Sequence, residues 1–380
     1  MKLPACCSCR ANTPTAPIHR QTGVALITVL LIVFLASIAA ISLASMQQLA
    51  IRRSSTLLHQ QQARLYALGI EQEARLILIR DRQNTKIDHP GEEWANLPLA
   101  LPVEGGVLSG RIRDLQGCFN LNNLWRPAQG EATGPAPNKK PEDPSQEEEE
   151  SDATDADAPA NPAAKPKTPA NPDNPKAGKA SHNEAQIKVL QRLLTGLELK
   201  PELAQAMADW IDPDGDPLFP DGAEDSDYLT LTPSYLAANR SFVSVSELRL
   251  IKGMDREAYE QLAPLVCALP PGTPLNVNTA PIRVLAALSE AGDPEEIKRL
   301  REEGASENEV AKPYETVDEF LSAAKLTVDA PTKALLSVDS QYFSLRAEAR
   351  VGDGRAMLYS TVYRDENGVR VLRRSFGNQD

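Results

Sequence analysis

Between Gly23 and Met46 the chain carries no charged side chain. Read as a helix at ~1.5 Å per residue, such a run crosses the ~30 Å hydrocarbon core of a bilayer. The residues before it carry Lys2, Arg10 and Arg20 and no acid. Positive flanks stay on the cytoplasmic side, so everything after Met46 lies on the other side of the membrane. A secretory signal would place small residues for cleavage after the apolar core. Here Gly23 stands before the core, directly behind the basic segment. The plain alternative is a single-span anchor with an incidental glycine.

The block Arg20-Gln21-Thr22-Gly23-Val24-Ala25-Leu26-Ile27-Thr28 resembles the leader of type IV pilin-like proteins, which the prepilin peptidase cuts after the glycine. The resemblance implies cleavage between Gly23 and Val24, methylation of the new N-terminus, and a retained helix that serves as anchor and assembly element. Most such proteins carry Glu where this chain has Thr28. A carboxylate in an apolar helix is costly without a partner, and in the family it is thought to meet the N-terminal ammonium of a neighbouring subunit. A subunit with nothing above it has no use for that contact. With Thr at this position the block resembles the protein K family of type II secretion minor pseudopilins, whose place is the pseudopilus tip. That resemblance implies a single-pass protein of the inner membrane with a periplasmic C-terminal region. It implies as partners the I- and J-type minor pseudopilins, the major pseudopilin, the prepilin peptidase, the inner-membrane assembly platform and exported cargo.

Composition agrees with export. Cys6, Cys7 and Cys9 lie in the leader, with only His19 nearby as a further ligand, so they do not read as a metal site. Cys118 and Cys267 remain in the mature chain, and in a disulfide-permissive compartment they stand either as a pair or as buried thiols. The net charge of -12 argues against a nucleic-acid surface.

The chain divides into a leader (1–23), a transmembrane helix (24–46), a spine helix with the first strands (47–127), a loop (128–181), a helical region (182–336) and C-terminal strands (337–380). Residues 47–81 contain no proline and place Leu49, Leu57, Leu65, Leu68, Leu76 and Ile79 among polar residues, the pattern of an amphipathic helix. Its second half is expected to pack on a sheet, until Asp88-His89-Pro90-Gly91 breaks it, and the apolar stripe, Leu57 and Leu65 among it, is expected to meet the helices of partner subunits. Residues 106–115 alternate like a strand. They lead into Gln116-Gly117-Cys118-Phe119-Asn120-Leu121-Asn122-Asn123-Leu124, where the asparagines are expected to bond local backbone. The stretch 128–181 holds Glu147 to Glu150 and no aromatic residue, and reads as disordered. From Glu184 to Leu336 the pattern is helical, with Thr279 before Ala280-Pro281 and Ser244 before Glu247 as caps. Strands return from Tyr342 to Val351, Ala356 to Tyr363 and Val369 to Phe376. The fold class is α+β, and the resemblance implies a pilin-like fold with an all-helical, SAM-like domain inserted between its strands.

One segment is chemically dense. Eight acids fall within the 19 residues from Asp209 to Asp227, separated by Gly and Pro. Crowded carboxylates repel unless solvent or a cation intervenes, so a solvated loop and a Ca²⁺ loop both fit. Local His and Cys are missing, which disfavours zinc. The resemblance adds calcium, because protein K binds it through acids of the D-W-I-D…G-A-E-D region. Carried onto this chain, the ligand set is Asp212, Asp214, Asp221, Glu224, Asp225 and Asp227.

Two other classes compete. Leu248 to Met254 and Leu275 to Leu288 resemble helix-hairpin-helix units, which would suit a DNA-uptake or type IV pilus machine. Only Lys252-Gly253 fits phosphate contact there, and the sequence shows neither basic patch nor stripe. A catalytic role has still less support. His19, His59, His89 and His182 fall in the leader, spine or loops, with no nucleophile spacing around them.

Overall fold

The computed structural model describes residues 24–97, 100–127, 180–303 and 312–377. The leader and nearly all of the 128–181 loop lie outside the described residues. The first element is a single 61-residue helix, α1 (Val24–Asn84), about 90 Å long at ~1.5 Å per residue. Its apolar N-terminal stretch touches no other element and is exposed along its length, as a lipid-facing segment must be.

The rest of α1 lies on a five-stranded antiparallel sheet. The strands are β1 (Leu101–Val103), β2 (Gly106–Asp114), β3 (Tyr342–Val351), β4 (Gly354–Asp365) and β5 (Gly368–Phe376), in that spatial order. The sheet is therefore a plain meander into which residues 115–341 are inserted as a separate body. The ends of the insertion meet: Leu115 N donates to Tyr342 O at 2.9 Å. Gly352-Asp353 and Glu366-Asn367 turn the two C-terminal hairpins between strands, as read from sequence.

The face of α1 that meets the sheet is built mainly from small residues, with Leu68 and Ile79 at its margin, while the rest of the leucine stripe stays free. Ala63, Ala67, Ala74, Ile77 and Leu78 are buried there, whereas Leu49, Leu57, Leu65 and Leu76 are exposed. The small residues let helix and sheet approach closely. Ala63 and Ala67 pack on Ala347, Ala349, Ala356 and Leu358, and a side chain at Gly354 would run into the backbone of His59. Further up, Ile77 and Leu78 meet Trp94, Ile112, Phe343 and Leu345. Glu71 is also buried on this face. Both of its oxygens accept from Arg374 of β5, at 2.6–3.0 Å, and one accepts from Ser360 of β4.

The inserted body has its own core, in which Leu121, Leu124, Leu190, Leu194, Met207, Leu248 and Leu285 are packed together. Helices α2 (Glu184–Gly196), α3 (Leu203–Asp209) and α4 (Asp225–Tyr228) belong to it. Further helices occupy Arg256–Leu262, Ile282–Ala286, Pro294–Glu302, Val317–Ala323 and Ala330–Lys333. The body is not all-helical. Phe119–Asn120 pairs with Val266–Cys267, Trp125–Arg126 with Ser181–His182, and Leu275–Asn276 with Leu336–Ser337. Cys118 and Cys267 form a disulfide beside the first pair, with Cα atoms 5.8 Å apart.

Two local expectations are corrected. The asparagines bond mostly to distant backbone: Asn122 Nδ2 donates to Phe242 O and Leu269 O, and Asn123 Nδ2 to Thr273 O. Buried peptide groups that no regular sheet pairs need such side chains. Thr279 caps no helix, since its hydroxyl donates to Asp114 Oδ2 and Pro281 stands at the cap position. The Ser244–Glu247 capping box is present.

The Glu71–Arg374 pair generates a first prediction. Arg374→Ala removes a half-exposed guanidinium from a buried carboxylate and should destabilise the protein by about 2 kcal/mol. Replacing Glu71 and Arg374 together by leucine should cost less than about 1 kcal/mol. Chemical denaturation of the detergent-solubilised chain reads both; equal losses would deny the pair its role.

Candidate metal centre

The acidic segment folds around a small buried group of carboxylates. α3 ends at Asp209, Trp210 and Ile211 turn inward, and Asp212 follows. Asp209 and Asp212 are 0 % exposed and Glu224, at the start of α4, is 2 % exposed. Asp209 uses one oxygen to close the loop: Oδ2 accepts from Leu218 N at 3.1 Å and from Ala223 N at 2.8 Å. Gly222 is needed here, because a Cβ would strike that oxygen and the Leu218 backbone. The other oxygen of Asp209 and both oxygens of Asp212 and Glu224 are buried without a hydrogen-bond partner among the described residues.

A histidine completes the group. His182 comes from the Ser181–His182 pairing at the start of the body, its ring edge-on to Trp125 at 5.0 Å. Its Nε2 lies 2.7 Å from Asp212 Oδ2 and 4.0 Å from Asp209 Oδ1. This contact raises the proton affinity of His182 in metal-free protein, and the same nitrogen, when neutral, can face a cation. The donor atoms of His182, Asp209 and Asp212 all lie within 4.8 Å of one another. Together they can hold one cation.

Charge crowding shows in the titration of these groups. Burial, then the charges of Asp212, Asp209 and Asp225, pushes the Glu224 carboxyl up to about 7. Burial raises Asp209 to about 6 against the opposing Leu218 and Ala223 N–H groups. His182 is raised by the nearby Asp212.

Of the six acids expected as ligands, the structure brings Asp212 and Glu224 into this centre. Asp214 is exposed and its Oδ1 accepts from Asp216 N. Asp221 is exposed, its backbone N–H donating to Gln205. Asp225 accepts from Ala237 N, and Asp227 binds Lys252 at 2.7 Å while accepting from Glu224 N. Asp209 and His182 were not among the expected ligands. The i, i+3 spacing of Asp209 and Asp212 is a usable signal for a shared helix face. His182 has no local signal, since the body's folding alone brings it in.

A second acidic group, Asp81, Asp88 and Glu92, is satisfied from within the protein. Arg364 binds Asp81 and Asp88 at 2.5–2.8 Å, and Glu92 accepts from Thr85, His89 N and Trp94. The Lys252-Gly253 turn, a candidate phosphate contact by sequence, has its lysine held by Asp227.

An exposed apolar helix long enough to cross a bilayer, leading to a sheet interrupted by a large body, is consistent with a protein anchored by a single span. The family model described as type II secretion system (T2SS), protein K matches residues 117–271. Type II secretion system protein K of Pseudomonas aeruginosa is 36% identical and that of Klebsiella pneumoniae 32%. These alignments cover 94% of this chain in both cases, and 93% and 97% of the two relatives. The chain belongs to the type II secretion system protein K family, a family of minor pseudopilins. Among solved structures it resembles a chain of the GspK–GspI–GspJ complex of the enterotoxigenic Escherichia coli type 2 secretion system. The TM-score is 0.61 at 27% identity, covering 86% of this chain and 100% of that one.

The centre predicts a pH dependence. In metal-free protein, Glu224, Asp209 and His182 all have raised folded-state values, so the native state holds more protons than the unfolded one. Stability should therefore fall as pH rises from about 4.5 towards about 7. Urea titrations in chelator across this range check the slope. Asp212→Asn should reduce it, leaving the part contributed by Asp81 and Asp114 at the junction, whereas a slope unchanged in that variant would place its source wholly elsewhere.

Proposed function

We propose that this chain is the minor pseudopilin that caps the pseudopilus, standing with I- and J-type partners above the major pseudopilin and supporting export of folded proteins across the outer membrane. The observation that carries this reading is the likeness to a chain of the GspK–GspI–GspJ complex. Two features agree with a terminal place. The body of residues 115–341 is too bulky to repeat along a tightly packed fibre. Thr28 offers no charge to an upper neighbour, because its hydroxyl donates to Ala25 O of its own helix at 2.9 Å. On this reading the prepilin peptidase releases Val24, the platform of the inner membrane receives the helix, and the sheet and body stand in the periplasm. The sheet on its helix is the pilin-like unit, and the body is the SAM-like insertion. The role is assembly, without catalysis.

The free face of α1 supplies the contact with partner helices. Leu57, Leu58, Leu65 and Leu76 are exposed on it, and such faces are buried against neighbouring helices. Leu57→Glu with Leu65→Glu should reduce co-purification of the I- and J-type subunits at least ~10-fold while leaving thermal unfolding of the body unchanged. Undiminished co-purification would remove the spine from the interface.

The buried centre holds Ca²⁺ on this reading. Its fit rests on the carboxylate oxygens that lack partners in Asp209, Asp212 and Glu224, since calcium takes six to eight oxygens from loops of this kind. His182 is the one nitrogen donor of the group. The ion would cancel the repulsion among the buried acids and fix the loop between α3 and α4. Ligand at 100 times Kd stabilises by about 2.7 kcal/mol. Chelation should lower the melting temperature, and Asp212→Ala or Glu224→Ala should abolish the difference. Superimposable melts of the unaltered chain with calcium and with chelator would refute the metal.

A further inference from the structure

The sheet has a second face, turned away from α1. Strand alternation puts Arg111 and Arg113 of β2 on it, with Arg346 and Arg350 of β3, Arg355 of β4 and Arg373 of β5. The acid at its centre is Glu348, in a chain whose net charge is -12. The sequence shows no basic patch because these arginines come from four separate strands, and the structure corrects that expectation.

Glu348 shows what the face accepts. One carboxylate stands within 2.7 Å of Arg350, 3.0 Å of Arg355 and 3.8 Å of Arg346. Arg111, Arg113 and Arg373 have no ion-pair partner among the described residues. Arg113 and Arg373 line a cleft of about 590 Å³ between the sheet and the body. On the opposite side the body presents the side chains of Val243, Val245, Pro264 and Ala268 beside Ser244, with Val243 exposed.

We infer that this face and cleft dock an acidic segment of another protein that carries an apolar side chain beside its carboxylates. Paired guanidinium groups favour carboxylate geometry, and the apolar side chains of the body add a requirement that a bare polyanion does not meet. A lipid surface is too distant. Arg113 pairs in register with Ser344, next to Phe343, which packs on Leu78. Leu78 lies 32 residues beyond Met46, about 48 Å up the helix, and the lower edge of the face, where Arg350 and Arg355 flank the turn that abuts His59, stands 13 residues or about 20 Å up, both beyond a screening length of ~8 Å. Since α1 covers the other face of the sheet, this partner is distinct from subunits that pack on the spine.

The test uses the detergent-solubilised full chain and a fluorescein-labelled peptide of repeated Glu-Glu-Leu units, titrated by anisotropy at low and high salt. A double-stranded oligonucleotide and phosphatidylglycerol vesicles are the competing probes. Saturable peptide binding should weaken at least ~10-fold in Arg111→Glu/Arg113→Glu/Arg373→Glu, and measurably in Val243→Ser. It should be unchanged in Arg256→Glu/Arg299→Glu, which makes a similar charge change on the body. The milder Arg113→Gln/Arg373→Gln pair, which leaves the sheet core untouched, should lose affinity in the same direction. Equal loss in the body variant, absence of saturable peptide binding, or tighter binding of oligonucleotide or vesicles through the same arginines would each overturn the inference.

Discussion

Arg364 lies where spine, sheet and body meet, and the arrangement of all three depends on it. Its guanidinium, 2 % exposed, binds Asp81 at the end of α1, Asp88 in the loop that follows, and the carbonyl of Ser340 where the body returns to the sheet. The charges cannot separate without leaving a bare ion in a buried place, which costs several kcal/mol. Burial pushes Asp81 up to about 7 and raises Asp88 as well, so the guanidinium is what makes two carboxylates tolerable there. Around it, Asp114 accepts from Ser340, Thr279 and Gln116 N, and Asn276 donates to Asp88 O. The junction is polar throughout yet satisfied. It fixes a direction between the three elements in a way that a greasy contact would not.

The body's own rigidity gives the buried acids their setting. The body can bury three carboxylates because its core and the Asp209 loop bonds hold them in place before any ion arrives. Repulsion that would open a mobile loop is instead stored in raised proton affinities. Protons are held by the same oxygens that face one another, and they leave as the pH rises towards about 7.

What the sequence made legible follows from the range of each interaction. The membrane run, the strand alternation in β2 and β3 and the hairpin turns are local patterns, and the structure has them where the residues indicate. Which face of the spine meets the sheet is not legible locally, because hydrophobicity marks leucine whereas closeness to a sheet selects Ala63 and Ala67. The asparagines at 120–123 carry polar side chains whose partners lie about 150 residues away. Nothing in a local window distinguishes them from a turn. For the candidate site, acid density marks the loop in which Asp212 and Glu224 are buried, while Asp214, Asp221, Asp225 and Asp227 lie outside the buried group. His182 and the arginine face exist only after distant strands come together.

The insertion begins and ends at neighbouring points on adjacent antiparallel strands, where Leu115 bonds Tyr342 and Gln116 Oε1 accepts from Gln341 N. This has a mechanical consequence. A force drawing the body outward loads β2 and β3 from the same end, so their hydrogen bonds break in succession, like a zip. A force pressing the body inward closes that same end and drives the junction onto the end of α1. The molecule is stiff under thrust and compliant under tension, and the Cys118–Cys267 crosslink limits how far the opening can spread into the body.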